Sequence, residues 1–194
     1  MSQADRERWN ERYRGRWGEQ EFKPISWLAE IGGLIRPAHA GARALDLACG
    51  IGRNGLYLAE LGYHVDAWDV SDEGLALLGA ELARRGETGV MPRLVDLDEA
   101  EIPTGAYDLV LNAFFLDRRL FPSIRDSLVP GGLFAFETFV EGGSRHGAVA
   151  PEHLLNNADL LAAFSGFETL VLDTESGRGT TRYLGRKARG GPGA

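Results

Sequence analysis

Residues 44–54 read ALDLACGIGRN, an apolar strand that passes directly into a glycine-rich turn and then into a helix. Glycines in such a turn let a ligand approach the backbone, and the helix N-terminus behind it favours polar or anionic groups. Working outward, short apolar runs alternate with amphipathic stretches: strand 43–48, helix 53–61, strand 64–69, helix 72–85 and strand 91–95. That alternation implies parallel βαβ units. The stretch 72–85 shows the local logic, with Ser71 as N-cap, Asp72 and Glu73 in the first turn, Arg84 and Arg85 in the last, and Gly86 just beyond. Its apolar stripe is Leu75, Leu78 and Leu82.

The second half continues with a nearly continuous apolar strand at 107–112, a helix ending near Leu128, a turn at Pro130-Gly131-Gly132, a strand at 133–139 and a short helix after Asn157 that Gly166 closes. Two last strands, 167–174 and 180–187, are joined by a linker that suits an antiparallel hairpin and is too short for a parallel crossover. The expected fold is therefore α/β, a doubly wound, mostly parallel seven-stranded sheet with one antiparallel terminal strand. On the N-terminal side, residues 3–14 form a helix with Trp9 and Tyr13 on one side, and a second helix near 26–35 stacks Leu28, Ile31 and Ile35 before Pro37 ends it. One domain is expected over 1–189, with 1–36 as a helical lid and 190–194 as a disordered tail.

Composition narrows the function. The 194 residues are 44% hydrophobic and 25% charged, as in an ordinary globular protein, and no run is apolar enough to span a membrane. The first residues carry mixed charge and no signal-like stretch, so a cytoplasmic location is expected. A net charge of −7 argues against nucleic acid as a partner. Cys49 is the only cysteine, which excludes an internal disulfide and a cysteine-cluster zinc site, and the four histidines have no metal-ligand spacing. No metal is expected.

Gly50-Ile-Gly52-Arg-Asn-Gly55 also satisfies a dinucleotide fingerprint, with Asp69 about 20 residues on as the ribose acid. A nicotinamide-dependent oxidoreductase on a Rossmann fold is thus one reading. Asp46 opposes it, because a carboxylate at the end of the first strand repels a pyrophosphate and attracts an ammonium. S-adenosylmethionine carries both an ammonium and a sulfonium, so the sign of the charge favours it.

Five segments in order carry a family resemblance: Asp46-Leu-Ala-Cys-Gly-Ile-Gly52 with Arg53-Asn54, Val65-Asp-Ala-Trp-Asp69, Val95-Asp96-Leu97, Tyr107-Asp-Leu-Val-Leu-Asn112 and Leu128-Val-Pro-Gly-Gly-Leu133. From about Trp9 to Lys187 the chain resembles the class I S-adenosylmethionine-dependent methyltransferases, most closely the tellurite-resistance and thiopurine methyltransferase group. Ala48 departs from the pattern, standing where the family often has its first glycine. The resemblance implies S-adenosyl-L-methionine as cofactor, with Ala48, Cys49, Gly50, Gly52 and Asn54 in the turn around its methionine part and Asp46 on its ammonium side. Asp69 would take the ribose hydroxyls, Asp96 the adenine amino group, and Val70 and Leu97 the ring. Asn112 and Phe114 would line the methionine side, with Trp9 and Tyr13 covering the site; core anchoring is the competing role for that aromatic pair. Cys49 reads as a small buried residue rather than a nucleophile.

Methyl transfer from a sulfonium is an in-line displacement that mainly needs alignment and exclusion of water. A soft acceptor such as a thiolate needs no base; where one is required, His146 and Glu137 are the candidates. Ligands of open α/β sheets sit at the carboxyl ends of the strands, where the loops there bring Arg118, Arg145 and Arg178 towards one mouth. The acceptor expected is a small molecule with negative charge or an easily ionised group, seated against Phe114 and Phe139. A catalytically inactive cofactor-binding module is the remaining alternative, opposed by the carboxylates at 46, 69 and 96.

Overall fold

The computed structural model describes residues 3–14, 19–142, 149–174 and 179–189. They fall into two compact units divided between Glu101 and Ile102. Their strands make up a seven-stranded sheet in the order β3-β2-β1-β4-β5-β7-β6. Among the described residues, no helix is long and apolar enough to cross a membrane.

The first unit contains α1 (Gln3–Tyr13), a 3-10 turn at Glu19–Phe22, α2 (Ser26–Glu30), β1 (Arg43–Leu47), α3 (Arg53–Glu60), β2 (His64–Asp69), α4 (Asp72–Arg85) and β3 (Val90–Leu94). β1 and β2 run parallel with Leu47 beside Trp68, and β2 and β3 run parallel with Asp69 beside Leu94. Ala44, Leu45, Asp46 and Leu47 are all buried, as the near-continuous apolar run requires of a strand covered on both faces. β3 lies at one end of the sheet and carries Pro92, which an edge strand tolerates; its Met91 and Leu94 are exposed.

The expected caps of α4 are present. The Ser71 side chain accepts the Gly74 N–H, and Gly86 ends the helix at φ 65°. α2 is shorter than its spacing suggested, stopping at Glu30 instead of reaching residue 35. Gly32 and Gly33 follow, and glycine is a poor helix residue; the chain closes turns onto the Ile31 carbonyl instead. Leu28, Ile31 and Ile35 are nonetheless all buried.

The second unit contains β4 (Tyr107–Ala113), a 3-10 turn at Arg118–Leu120, α5 (Phe121–Ser127), β5 (Leu128–Phe139), α6 (Asn157–Ala163), β6 (Phe167–Asp173) and β7 (Thr180–Lys187). β5 begins five residues earlier than expected, at Leu128 rather than 133. Tyr107 pairs Leu128 and Leu109 pairs Leu133, so the expected Pro130-Gly131-Gly132 turn is a bulge within the strand. β4 and β5 are parallel, and β7 is antiparallel to both β5 and β6. The reversed strand therefore lies between its neighbours rather than at the sheet edge. Its Tyr183 joins Phe134 and Phe164 in an aromatic cluster where the Phe134 and Phe164 centroids are 4.6 Å apart.

Candidate functional site

Behind β1 the chain turns through three left-handed residues, Ala48 (φ 53°), Gly50 (φ 59°) and Gly52 (φ 73°). Ala48 holds this conformation despite its Cβ, so the departure from glycine costs backbone strain. Gly52 has no such option, because a Cβ there would lie 2.5 Å from both Leu78 methyls. It also caps α3, with no side chain available to do so. The Cys49 N–H donates to the Trp68 carbonyl at 3.0 Å, tying the turn to the end of β2.

Two buried carboxylates flank this turn. Asp69, 6% exposed, accepts the Gly50 N–H on Oδ2 (2.7 Å) and the Ser71 N–H on Oδ1 (2.8 Å). Each oxygen retains a further lone pair. Burial raises its pKa, and those backbone amides oppose the rise. Asp46 is 1% exposed and its Oδ2 has no hydrogen-bond partner. Burial, reinforced by the charge of Asp69, pushes its carboxyl from 3.8 up to about 7, against the Gly55 amide and Arg53. Burial, then the same two acids, hold the Cys49 thiol well above its usual range, which suits an inert side chain.

α1 lies over this region. A Cβ on Gly50 would sit 2.5 Å from the Tyr13 hydroxyl, and one on Gly74 would sit 3.1 Å from the Tyr13 ring. The Tyr13 phenol is raised by burial and by Asp69, and Trp9 stacks on Tyr13 with centroids 6.0 Å apart. Val70 and Leu97 are buried. Asp96 is half-buried and accepts the Asp98 N–H at 2.9 Å. Asn54 accepts the Ile25 N–H at 3.1 Å, so its amide oxygen holds the segment before α2.

In the second unit, Asn112 is 1% exposed and neither of its amide atoms has a hydrogen-bond partner. Phe114 is held at φ 58° by its N–H bond to the Glu137 carbonyl, and its half-exposed ring lies 5.4 Å from that of Phe139. The Glu137 carboxylate is buried and accepts from Arg182 Nε (3.0 Å) and Thr180 Oγ1 (3.2 Å). Arg118 is equally committed, donating to the Leu154 carbonyl (2.7 Å) and to Asp159 (3.1 Å). Arg145, His146 and Arg178 lie outside the described residues. Sequence reasoning missed Arg182, the partner of Glu137, and Asn10, whose amide engages the start of α4. A polar residue one turn before Tyr13 was the only available signal.

The "Tellurite resistance protein TehB" family model matches residues 29–132, just over half of the chain. A "Probable S-adenosyl-L-methionine-dependent methyltransferase TehB" from Haemophilus influenzae is 38% identical over 85 residues, covering 42% of this chain and 29% of that protein. A "Ubiquinone biosynthesis O-methyltransferase" from Burkholderia ambifaria is 34% identical over 133 residues, 63% of this chain and 57% of that one. The chain thus spans less than two thirds of these relatives. The crystal structure of TehB from H. influenzae matches with a TM-score of 0.68 at 20% identity, over 94% of this chain and 66% of that one. An S-adenosylmethionine-dependent methyltransferase from Mesorhizobium loti matches with a TM-score of 0.66 at 21% identity, over 84% and 99%. These structures share the fold; with the family match over more than half its length, the chain belongs to the tellurite resistance protein TehB family.

Proposed function

We propose that the protein binds S-adenosyl-L-methionine at the turn 48–52 and transfers its methyl group to a small-molecule acceptor. The observation that carries this reading is the pair of buried carboxylates on neighbouring strands beside that turn, Asp69 with lone pairs to spare and Asp46 with an oxygen lacking any partner. Buried acceptors without partners are rare, and a ligand ammonium would satisfy this one. The residues fit the cofactor: Asp46 meets its ammonium side, Asp69 its ribose diol, Asp96 its adenine amino group, and Val70 with Leu97 the apolar ring. Gly50 lets the Tyr13 hydroxyl lie directly against the turn, where a Cβ would clash with it. Two acids here would repel a pyrophosphate, which disfavours a nicotinamide cofactor.

The bound cofactor supplies a methyl group on a sulfonium, open to in-line attack. The chain's own contribution is alignment and dryness. Asp46 and Asp69 orient through fixed carboxylates, and α1 with Trp9 and Tyr13 excludes water. In the second unit, Phe114 and Phe139 offer an aromatic surface for an acceptor. Glu137 is engaged by Arg182 and Thr180, which favours transfer to a soft, already ionised nucleophile over one that needs this group as a base. Calorimetry with S-adenosylhomocysteine and with NADH, followed by radiolabelled methyl transfer to thiols and tellurite, tests the reading. Micromolar S-adenosylhomocysteine binding with labelled product is expected; comparable NADH affinity overturns it.

A further inference from the structure

One buried polar side chain ties α1 to the start of α4. Asn10, 8% exposed, receives the Ser71 hydroxyl on Oδ1 at 2.6 Å and donates Nδ2 to Asp72 Oδ1 at 2.6 Å. Ser71 in turn accepts the Gly74 N–H at 3.0 Å, and its own N–H donates to Asp69. An unbroken chain of hydrogen bonds therefore runs from Asp69 through Ser71 to Asn10. The flanking contacts of α1 are of another kind. Arg6 to Asp72 and Arg14 to Glu73 are exposed ion pairs, of the sort that water and salt weaken. Asn10 alone in this group is buried, and both ends of its amide are used. Tyr13, three residues on, is thereby set between Gly50 and Gly74.

We propose that Asn10 is a positioning residue, a latch that holds α1 across the cofactor turn and sets how fast the cofactor leaves. The geometry makes the latch sensitive to the turn beneath it. Any movement of Asp69 that shifts the Ser71 N–H also shifts the Ser71 hydroxyl that Asn10 accepts. A closed lid slows dissociation without adding a contact to the ligand. The proposal rests on the cofactor reading above, and it also concerns the free protein, so the two can fail separately.

The experiment compares wild type, Asn10→Leu and Asn10→Asp. Leucine preserves size and removes both hydrogen-bonding functions; aspartate keeps the acceptor and opposes Asp72 with a second carboxylate. Amide exchange by mass spectrometry, without ligand, reads α1 directly, and chase of bound radiolabelled S-adenosylmethionine by unlabelled S-adenosylhomocysteine reads the dissociation rate. Exchange at least tenfold faster in residues 3–14, unchanged in β1 and β2, with dissociation accelerated by a similar factor, is expected in both variants. Equal exchange in all three proteins overturns the latch, as does acceleration spread evenly over the first unit, which marks general loss of stability. Faster exchange of α1 with unaltered dissociation overturns the kinetic role. If the wild type binds neither ligand, the cofactor reading fails while the exchange data still decide the attachment of α1.

Discussion

Replacing Asp46 by Asn should stabilise the free protein at alkaline pH while weakening its affinity for the cofactor. The side chain is fully buried, with one oxygen unpartnered, and its carboxyl is raised from 3.8 to about 7. Between those values the folded protein holds a proton that the unfolded chain has released, so each rise in pH favours unfolding. The loss begins near the unfolded value and is complete above the folded one. At about 1.4 kcal/mol per pK unit, the whole shift is on the order of 4 kcal/mol. Asparagine does not titrate, so that portion of the pH dependence disappears. Asp69 is raised too, and the remaining slope belongs partly to it. Urea unfolding at pH 4.5, 6 and 8 measures the difference, which should be smallest, about 1 kcal/mol, at the acid end and reach several kcal/mol in favour of the variant at pH 8. Its affinity for S-adenosylhomocysteine should fall about 10- to 100-fold, because a hydrogen bond to a charged group contributes roughly 1.5–3 kcal/mol. Parallel pH profiles for wild type and variant would refute the reasoning, since the burial of a raised carboxyl would then have no thermodynamic consequence.

Gly52→Ala combines a left-handed backbone, costing roughly 1–2 kcal/mol, with overpacking of Leu78 worth about 1–3 kcal/mol more. Thermal unfolding should show a drop of about 5–20 °C, at roughly 2–4 °C per kcal/mol, while Ala48→Gly, which relieves strain, should leave the melting temperature equal or higher; a reversed order would show that the turn is not as described. Arg182→Met strands the buried Glu137 carboxylate and should cost about 3–5 kcal/mol, read from chemical unfolding, and adding Glu137→Gln should return most of it. A single variant within about 1 kcal/mol of wild type would mean that water reaches the pair.

What the sequence disclosed follows the range of the interactions involved. α4 was legible to its last residue because Ser71 and Gly86 act within one turn of its ends. Asp46 and Asp69 stood out in the sequence because each sits at or near a strand end beside the glycine turn that follows β1. α2 was overdrawn because the spacing of Leu28, Ile31 and Ile35 reports burial, which a run of turns satisfies as well as a helix. The start of β5 was missed because Pro130-Gly131-Gly132 has turn chemistry, and only pairing with β4 reveals the strand continuing around it. The Arg182 partner of Glu137 was not legible, because only the β5–β7 register brings the two together. The reach of Arg118 to the Leu154 carbonyl, 36 residues away, likewise has no local signal. Asn10 and Ser71 meet across 61 residues, and no local pattern announces such a pair.

The position of β7 bears on how the chain is made. On the ribosome, β6 emerges before the strand that gives it a place, because in the finished sheet its pairing is with β7. Until Thr180–Lys187 have been synthesised, the outer edge of β5 and the whole of β6 are unpaired, and Phe134 and Phe164 await the ring of Tyr183. Unpaired edges beside exposed aromatic groups are the surfaces on which nascent chains aggregate. β1 to β3 precede these strands in the chain, so the period of greatest risk follows their synthesis, over the residues between β6 and β7, where a pause would prolong exposure and a bound chaperone would shorten it.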